Sequence, residues 1–473
     1  MKVPILSGVF TDLSGDIRTS YPRNLVPVAL QSGINNGYLR PAPGIELADP
    51  AVPSIAADRG GAEWRGEHYR VRAGRLTRIL PTGAVVDLGA LPGILPDVSR
   101  ASFAVGFDRL AVAVGGRLFY YDGTAVIQVT DPDLGDVFDV TWQGGYFITT
   151  DGEFIVTTEL GDPTQVSPLK YASAETDPDP IVGVGTHRNE VYAFGRYTTE
   201  VFQNVGGAGF PFAVVQGALV TRGAISAQCA ISFGETWAFL GSGRSEPLAV
   251  WAVNGGATQR LSTREIERVL ATYPESDYPL ISLESRTWQG HEWLYVHLPD
   301  RTFVFDLAAS VETQQQVWFE LGSSLVGPAR YDARGFVWAH NRWWCAHPAD
   351  GRIGVENDTI GMHWGQHVGW QVDTQALYGE GRAAIVHEIE LVALQGRAPV
   401  GEDASIWNSY SDDGLQWSNE RAVRAGRTGQ TTRRLVWRGQ GRMRHWRIQR
   451  FRGTSETHTT LVRLEMGVEP LNA

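Results

Sequence analysis

The sequence predicts an all-β protein. A β-propeller of six or seven blades is expected over about residues 46–375, followed by a C-terminal β-sandwich-like domain with Arg-rich strands over 376–473. Three observations predict it. The chain has 473 residues, room for two large all-β domains, and its 54 Gly and 16 Trp mark many turns and bulky packing groups. Seven hairpin-like segments of one kind recur along it. Past about residue 380 the recurrence stops and basic residues gather.

Each hairpin reads as an aromatic or β-branched strand, a tight turn and a second strand. In order they are His68–Leu80, Leu110–Gly123, Tyr146–Thr158, Val191–Asn204, Thr236–Val253, Glu292–Leu307 and Arg342–Asn357. Their starts lie 42, 36, 45, 45, 56 and 50 residues apart. Four-stranded propeller blades repeat at about 40–50 residues, and no blade buries its faces alone, so blades stack around an axis. Gly115-Gly116, Asp151-Gly152 and Asp350-Gly351 supply hairpin dipeptides that tolerate positive φ. Hairpins also suit a set of β-sandwiches, but the spacing favours blades. Residues 1–45 form an N-terminal arm or complete a blade.

One helix interrupts the series. Ile266, Val269, Leu270 and Tyr273 make an i, i+3, i+4, i+7 stripe; Thr263 stands at the N-cap, Glu265 and Glu267 in the first turn, and Pro274 ends it. It is expected to pack on the outside of the propeller. In the C-terminal domain, strands are expected at His387–Leu394, Ser405–Tyr410, Leu435–Arg438, Arg444–Arg452 and Leu461–Met466, with a loop at 396–401.

Several function classes are excluded or weakened. Only Lys2 and Lys170 are lysines, and neither follows the G-x-x-x-x-G run of a phosphate-binding loop. G-x-S-x-G, C-x-x-C, H-E-x-x-H and G-x-G-x-x-G are absent. Cys229 and Cys345 read as buried apolar residues in a reducing setting rather than a disulfide framework. The opening MKVPILSGVF is too short and too soon polar for a signal peptide, and no run approaches the ~18 apolar residues that span a bilayer, so membrane insertion is not expected.

Four features hint at chemistry, each with a plainer reading. Asp412-x-Gly414-x-Gln416-Trp417 resembles an Asp-box, in which the Asp and Gly fix a turn and the Trp packs beneath. His363 and His367 have metal-ligand spacing for a helix, but three Gly in GMHWGQHVGW disfavour one, and on a strand they stand ~13 Å apart. Asp131, Asp133, Asp136, Asp177 and Asp179 read as acidic turns between blades rather than calcium ligands. No catalytic residue, cofactor or metal is expected.

The fourth is charge. The chain nets −11, an argument against a generic nucleic-acid binder, yet residues 421–452 hold 11 Arg and no acid, which leaves −22 on the rest. Arg433, Arg434, Arg438, Arg442, Arg444, Arg447, Arg450 and Arg452 are the candidate contact residues, interleaved with Trp437, Trp446 and Phe451. Alternation puts Trp446 and Ile448 on one face of their strand and Arg447 and Gln449 on the other. Three uses compete: a solvated strand face, a surface for an acidic protein or subunit, and contact with DNA phosphates.

Five segments, in order, resemble the packaged-DNA stabilisation proteins of short-tailed bacteriophages, the tail accessory, nozzle or tail hub family. They are Asn35–Ile45 (NNGYLRPAPGI), Ile181–Gly185 leading to Thr199-Glu200-Val201-Phe202, the 262–273 helix, Tyr295–Asp306 (YVHLPDRTFVFD) and Arg434–Arg447 (RLVWRGQGRMRHWR). The resemblance implies a non-enzymatic virion protein of the phage tail, made in the host bacterial cytoplasm. It implies a homohexameric ring below the portal and adaptor rings that extends the DNA channel, helps retain packaged DNA and anchors fibres, spikes or a needle. Six copies at −11 each carry −66, a conduit that double-stranded DNA passes without sequence-specific binding. The Arg segment would then clamp an acidic neighbouring ring. The alternative is a propeller-type glycan-degrading enzyme or glycan-binding protein.

Overall fold

A computed structural model describes residues 2–30, 37–49, 57–93, 100–174, 177–207, 209–254, 256–378, 383–398, 400–401 and 403–471. Seven sheets of four or five antiparallel strands follow one another and form the blades of a propeller. Blades 1 to 6 take residues 58–90, 102–128, 139–173, 181–214, 223–260 and 282–321. Blade 7 takes three strands from 334–357 and its fourth, Gly44–Leu47, from near the N-terminus.

The seven expected hairpins are the second and third strands of the seven blades. In blade 2, for example, Leu110–Val114 pairs with Arg117–Tyr121 across Gly115-Gly116, at φ 61° and 75°. Their continuous apolar runs have a physical cause: each blade is buried on both faces. Leu110, Val112 and Val114 pack toward blade 1, while Ala111 and Ala113 pack toward blade 3. Seven hydrophobic clusters fill the seven junctions, the last joining Ile79 of blade 1 to Val337, Trp344 and Ile353 of blade 7. The first strands of successive blades touch around the ring, and that of blade 7 touches that of blade 1.

The N-terminal segment divides between the domains. Gly44–Leu47 closes the ring against Ile353–Asn357, with Leu47 opposite Gly354 and Gly44 opposite Asn357. Lys2–Val3, Leu25–Ala29 and Gly37–Pro41 instead join Ala384–Leu394, Leu435–Met443 and Thr460–Pro470 in one sheet of the sandwich. The facing sheet is built on Gly369–Asp373, Ser405–Ser411, Arg421–Arg424 and Trp446–Thr454. Val3, Ile5, Leu25 and Leu39 share one core with Trp370, Ile406, Trp437, Phe451 and Leu464, so these N-terminal strands are integral to the C-terminal domain rather than a free arm. The expected loop at 396–401 lies partly outside the described residues, as do Asn35 and Asn36.

The expected helix forms over Arg264–Leu270 and buries Ile266 and Leu270 between blades 5 and 6. Thr263 holds the N-cap position, but its hydroxyl bonds Tyr21 rather than its own helix. A second helix, Leu307–Thr313, sits inside blade 6; Asp306 caps it by accepting from Ala309 N at 3.0 Å.

Candidate functional site

The Arg-rich segment folds as two sandwich strands, Leu435–Met443 and Trp446–Thr454, one in each sheet. Their side chains divide into two groups. Arg447, Gln449 and Phe451 share a face of their strand, and Phe451 belongs to the inter-sheet core. Arg447 is completely buried. Its Nε donates to Asp412 Oδ1 at 2.8 Å, its Nη atoms to the carbonyls of Gln440 (2.8 Å) and Arg442 (2.9 Å), and its guanidinium lies 3.8 Å from the Tyr410 ring centre. Of the three competing uses, a solvated strand face therefore does not describe Arg447: its face is interior, and Arg447 acts as a polar tie between the sheets.

Three more guanidiniums are internally matched. Arg450 forks onto Asp373 with two bonds of 2.8 Å and stacks 3.5 Å from the Trp417 ring centre. Arg452 forks onto Glu420, and Arg434 onto Glu390, whose carboxyl it holds below the usual carboxylate range. Arg438 reaches Glu388 only at 3.8 Å and is 79% exposed. Arg433, Arg442 and Arg444 are exposed, and among the described residues no carboxylate lies within ion-pair distance of them. Leu435–Met443 bulges opposite Val386/Glu388, at Gly439 (φ 64°) and Gly441 (φ 78°). That kink falls between Arg438 and Arg442. The guanidiniums left unpaired or only loosely paired in this segment are thus Arg433, Arg438, Arg442 and Arg444, exposed charges whose attraction for acidic groups weakens with salt.

The other motifs resolve as local structure. The turn at 411–417 is fixed by Asp413, not Asp412: Asp413 Oδ1 accepts from Leu415 N and Gln416 N at 2.8 Å, and Ser411 Oγ accepts from Gly414 N. Asp412 is released for Arg447, and Trp417 packs under Arg450. His363 is buried against Ser323 Oγ at 2.9 Å, while His367 faces Ser455 Oγ at 3.1 Å. Among the described residues no group of three or more His, Cys, Asp or Glu gathers as metal ligands. Asp131 accepts from Asp133 N and Val166 N, Asp177 pairs with Arg244, and Asp179 caps Tyr197 N and Thr198 N. No described helix is long and apolar enough to cross a membrane.

Sequence reasoning missed the strap between domains. The hairpin Gly8–Thr11/Ile17–Ser20 meets the sandwich through Val9 N to Thr374 O (3.1 Å) and Ser20 Oγ to Asp373 Oδ2 (3.2 Å). It meets the propeller through Arg18 to Glu265 (3.5 Å) and Asp16 to Arg268. Asn24, at φ 52°, donates from one amide to Gly322 O at 2.9 Å and Gly369 O at 2.8 Å, bonding both domains. The legible trace was the turn sequence Asp12-Leu13-Ser14-Gly15-Asp16, where Asp12 Oδ1 accepts from Ser14 N.

A closed seven-bladed ring and a sandwich that borrows N-terminal strands define a class of two-domain all-β protein. The chain belongs to the bacteriophage P22 Gp10 family: residues 1–361 match its β-propeller and residues 369–469 its β-sandwich. The tail hub protein gp10 of Salmonella phage P22 is 25% identical over 462 residues, covering 94% of this chain and 94% of its own. Among solved structures, a streptogramin B lyase aligns at TM-score 0.44 and 9% identity, covering 66% of this chain and 97% of its own. The Neurospora crassa Pan2 WD40 domain aligns at 0.42 and 7%, covering 65% and 92%.

Proposed function

We propose that this protein is a structural component of a bacteriophage tail hub, located in the virion, and that it acts by packing rather than catalysis. The observation that carries the reading is the match of both domains, in order, to one phage family, with a tail hub protein aligned over 94% of each chain. In the finer reading, copies of the chain form a ring, six in number, below the portal and adaptor. The ring continues the DNA channel, helps hold packaged DNA and seats fibres, spikes or a needle. The acidic bulk of the chain supports passage of DNA without retention, because like charge repels phosphates. Arg433, Arg442 and Arg444 supply unmatched positive charge, and Arg438 a loosely paired one, for an acidic neighbour.

Negative-stain microscopy of the purified protein, alone and with its portal and adaptor partners, tests the ring. Closed rings with a central opening are expected; a monomer that joins no tail particle overturns the reading. Duplex-DNA binding across a salt series tests the Arg surface. Weak binding is expected. Tight, steeply salt-dependent binding that is lost with Arg433→Ala/Arg438→Ala/Arg442→Ala/Arg444→Ala would reassign that surface to DNA.

A further inference from the structure

A cavity of about 150 Å³ opens at one end of the propeller, lined by Asp58, Arg59, Arg100, Arg330 and Arg334 with Pro279, Pro299 and Pro348. These residues stand where the first strands of blades 1, 2 and 7 begin, so ring closure brings four guanidiniums from distant parts of the chain to one space. The carboxylates around it are already engaged. Asp58 takes Arg70 in a fork of 2.7 and 2.6 Å. Glu284 takes Arg100 at 3.0 Å and the backbone N–H groups of Gly335 (2.9 Å) and Phe336 (3.2 Å), with His297 at 3.7 Å. Asp332 takes Arg330 at 3.0 Å.

Arg334 is left over. It has no carboxylate within ion-pair distance among the described residues, and its Nε is buried without a hydrogen-bond partner. Burial first, and then the neighbouring Arg100, bring its pKa down to about 9. Glu284 and Asp332 act on it only from beyond ion-pair distance, and a largely buried guanidinium with no carboxylate in contact is costly unless an anion completes it. The cavity is far too small for a nucleotide, but it has room for one tetrahedral oxyanion, and the rigid donor forks of Arg suit such a ligand.

We propose that this cavity binds one oxyanion of the phosphate class, with Arg334 as its principal donor and Arg59, Arg100 and Arg330 enclosing it. The anion would pin the starts of the first strands of blades 1, 2 and 7 together. The phosphate is either free in solution or carried by DNA, and the two sources are separable.

Isothermal titration of the full chain with inorganic phosphate, at constant ionic strength in chloride, is the test. One saturable site per chain is expected, weakened ~10-fold or more in Arg334→Met, since a hydrogen bond to a charged group contributes on that order. The site should persist in Arg433→Ala/Arg442→Ala/Arg444→Ala. Displacement of the bound phosphate by a short duplex would make DNA the source; indifference to duplex would make it the free ion. Absence of saturable uptake by ~10 mM, a range in which affinity is already millimolar or weaker, overturns the proposal. So does uptake undiminished in Arg334→Met. Thermal melting guards against a folding artefact. In phosphate-free buffer, Arg334→Met should melt at or above the wild type, because it removes an unmatched buried cation. A lower midpoint would mean that Arg334 is satisfied within the protein, and would also overturn the proposal.

Discussion

The division of the Arg segment into an interior tie and a surface patch makes a sharp prediction at Arg447. Consider Arg447→Met, which keeps most of the volume and the stem contacts but removes the guanidinium. Its three donated bonds, of 2.8, 2.8 and 2.9 Å, end on Asp412, Gln440 O and Arg442 O. Asp412 is 44% exposed and turns back to water, so its loss costs about 0–1 kcal/mol. The Gln440 carbonyl, whose bond is buried, is left unpaired at about 1–3 kcal/mol, and the part-buried Arg442 carbonyl at the lower end of that range. Removing a buried charge returns part of that. The net expectation is a destabilisation of ~2–4 kcal/mol. For a domain of about 100 residues that lowers the melting midpoint by ~8 °C or more. Arg433→Ala, Arg442→Ala and Arg444→Ala should each stay within about 0.5 kcal/mol, since nothing in the fold depends on them. Urea and thermal unfolding of the four variants, followed by Trp fluorescence, give the comparison. An Arg447→Met midpoint within 1 °C of wild type, or an equal loss in any surface variant, would refute the division.

Three further outcomes follow from the propeller. Asp139, on the first strand of blade 3, accepts from Val140 N and Val184 N at 2.9 Å with no cation paired to it among the described residues, and burial pushes its carboxyl up to about 6. Between about pH 4 and 6 the unfolded group is ionised while the folded one keeps its proton, so stability should fall as pH rises through that window, by ~3 kcal/mol at most. Asp139→Asn should flatten this fall in urea midpoints taken at pH 4 to 7; an unchanged slope would contradict it. At Gly354 an added Cβ would stand 2.7 Å from Ile45 Cγ2 and 2.7 Å from Trp364. Gly354→Ala should therefore loosen the closing strand, cost ~1–3 kcal/mol and speed proteolysis within the first 47 residues. Cys229 is buried, its thiol pushed up to about 12, and Cys345 is pushed up by the same cause. Neither should react with a thiol reagent in the native chain, and both should react in urea.

The parts of this structure that the sequence disclosed are those whose cause is local. The second and third strands of each blade, such as Leu110–Val114 and Arg117–Tyr121, are adjacent in the chain and buried on both faces, so they read as apolar runs around a turn dipeptide. First strands such as Asp58–Trp64 (DRGGAEW) face the axis, carry polar residues and have no such signature. What stayed hidden is set by partners far away in sequence. Lys2–Val3 is a sandwich strand only because Leu464 and Glu465 pair with it. Arg334 lacks a counter-charge only because Glu284 and Asp332 are held by other arginines. Which face of Trp446–Thr454 meets the core was hidden for the same reason. Alternation told correctly which residues share a face, but a strand covered on both sides does not announce which cover is the core. Phe451 settles it by entering the inter-sheet cluster and carrying Arg447 and Gln449 inward with it. The Asp412/Asp413 turn slipped by one residue because either Asp fits the local pattern. Only Arg447, 35 residues further on, decides which of them leaves the turn. The basic segment is therefore not a single patch. The fold engages Arg421, Arg424, Arg427, Arg434, Arg447, Arg450 and Arg452 internally, and only those it leaves unmatched or loosely paired are available to a partner.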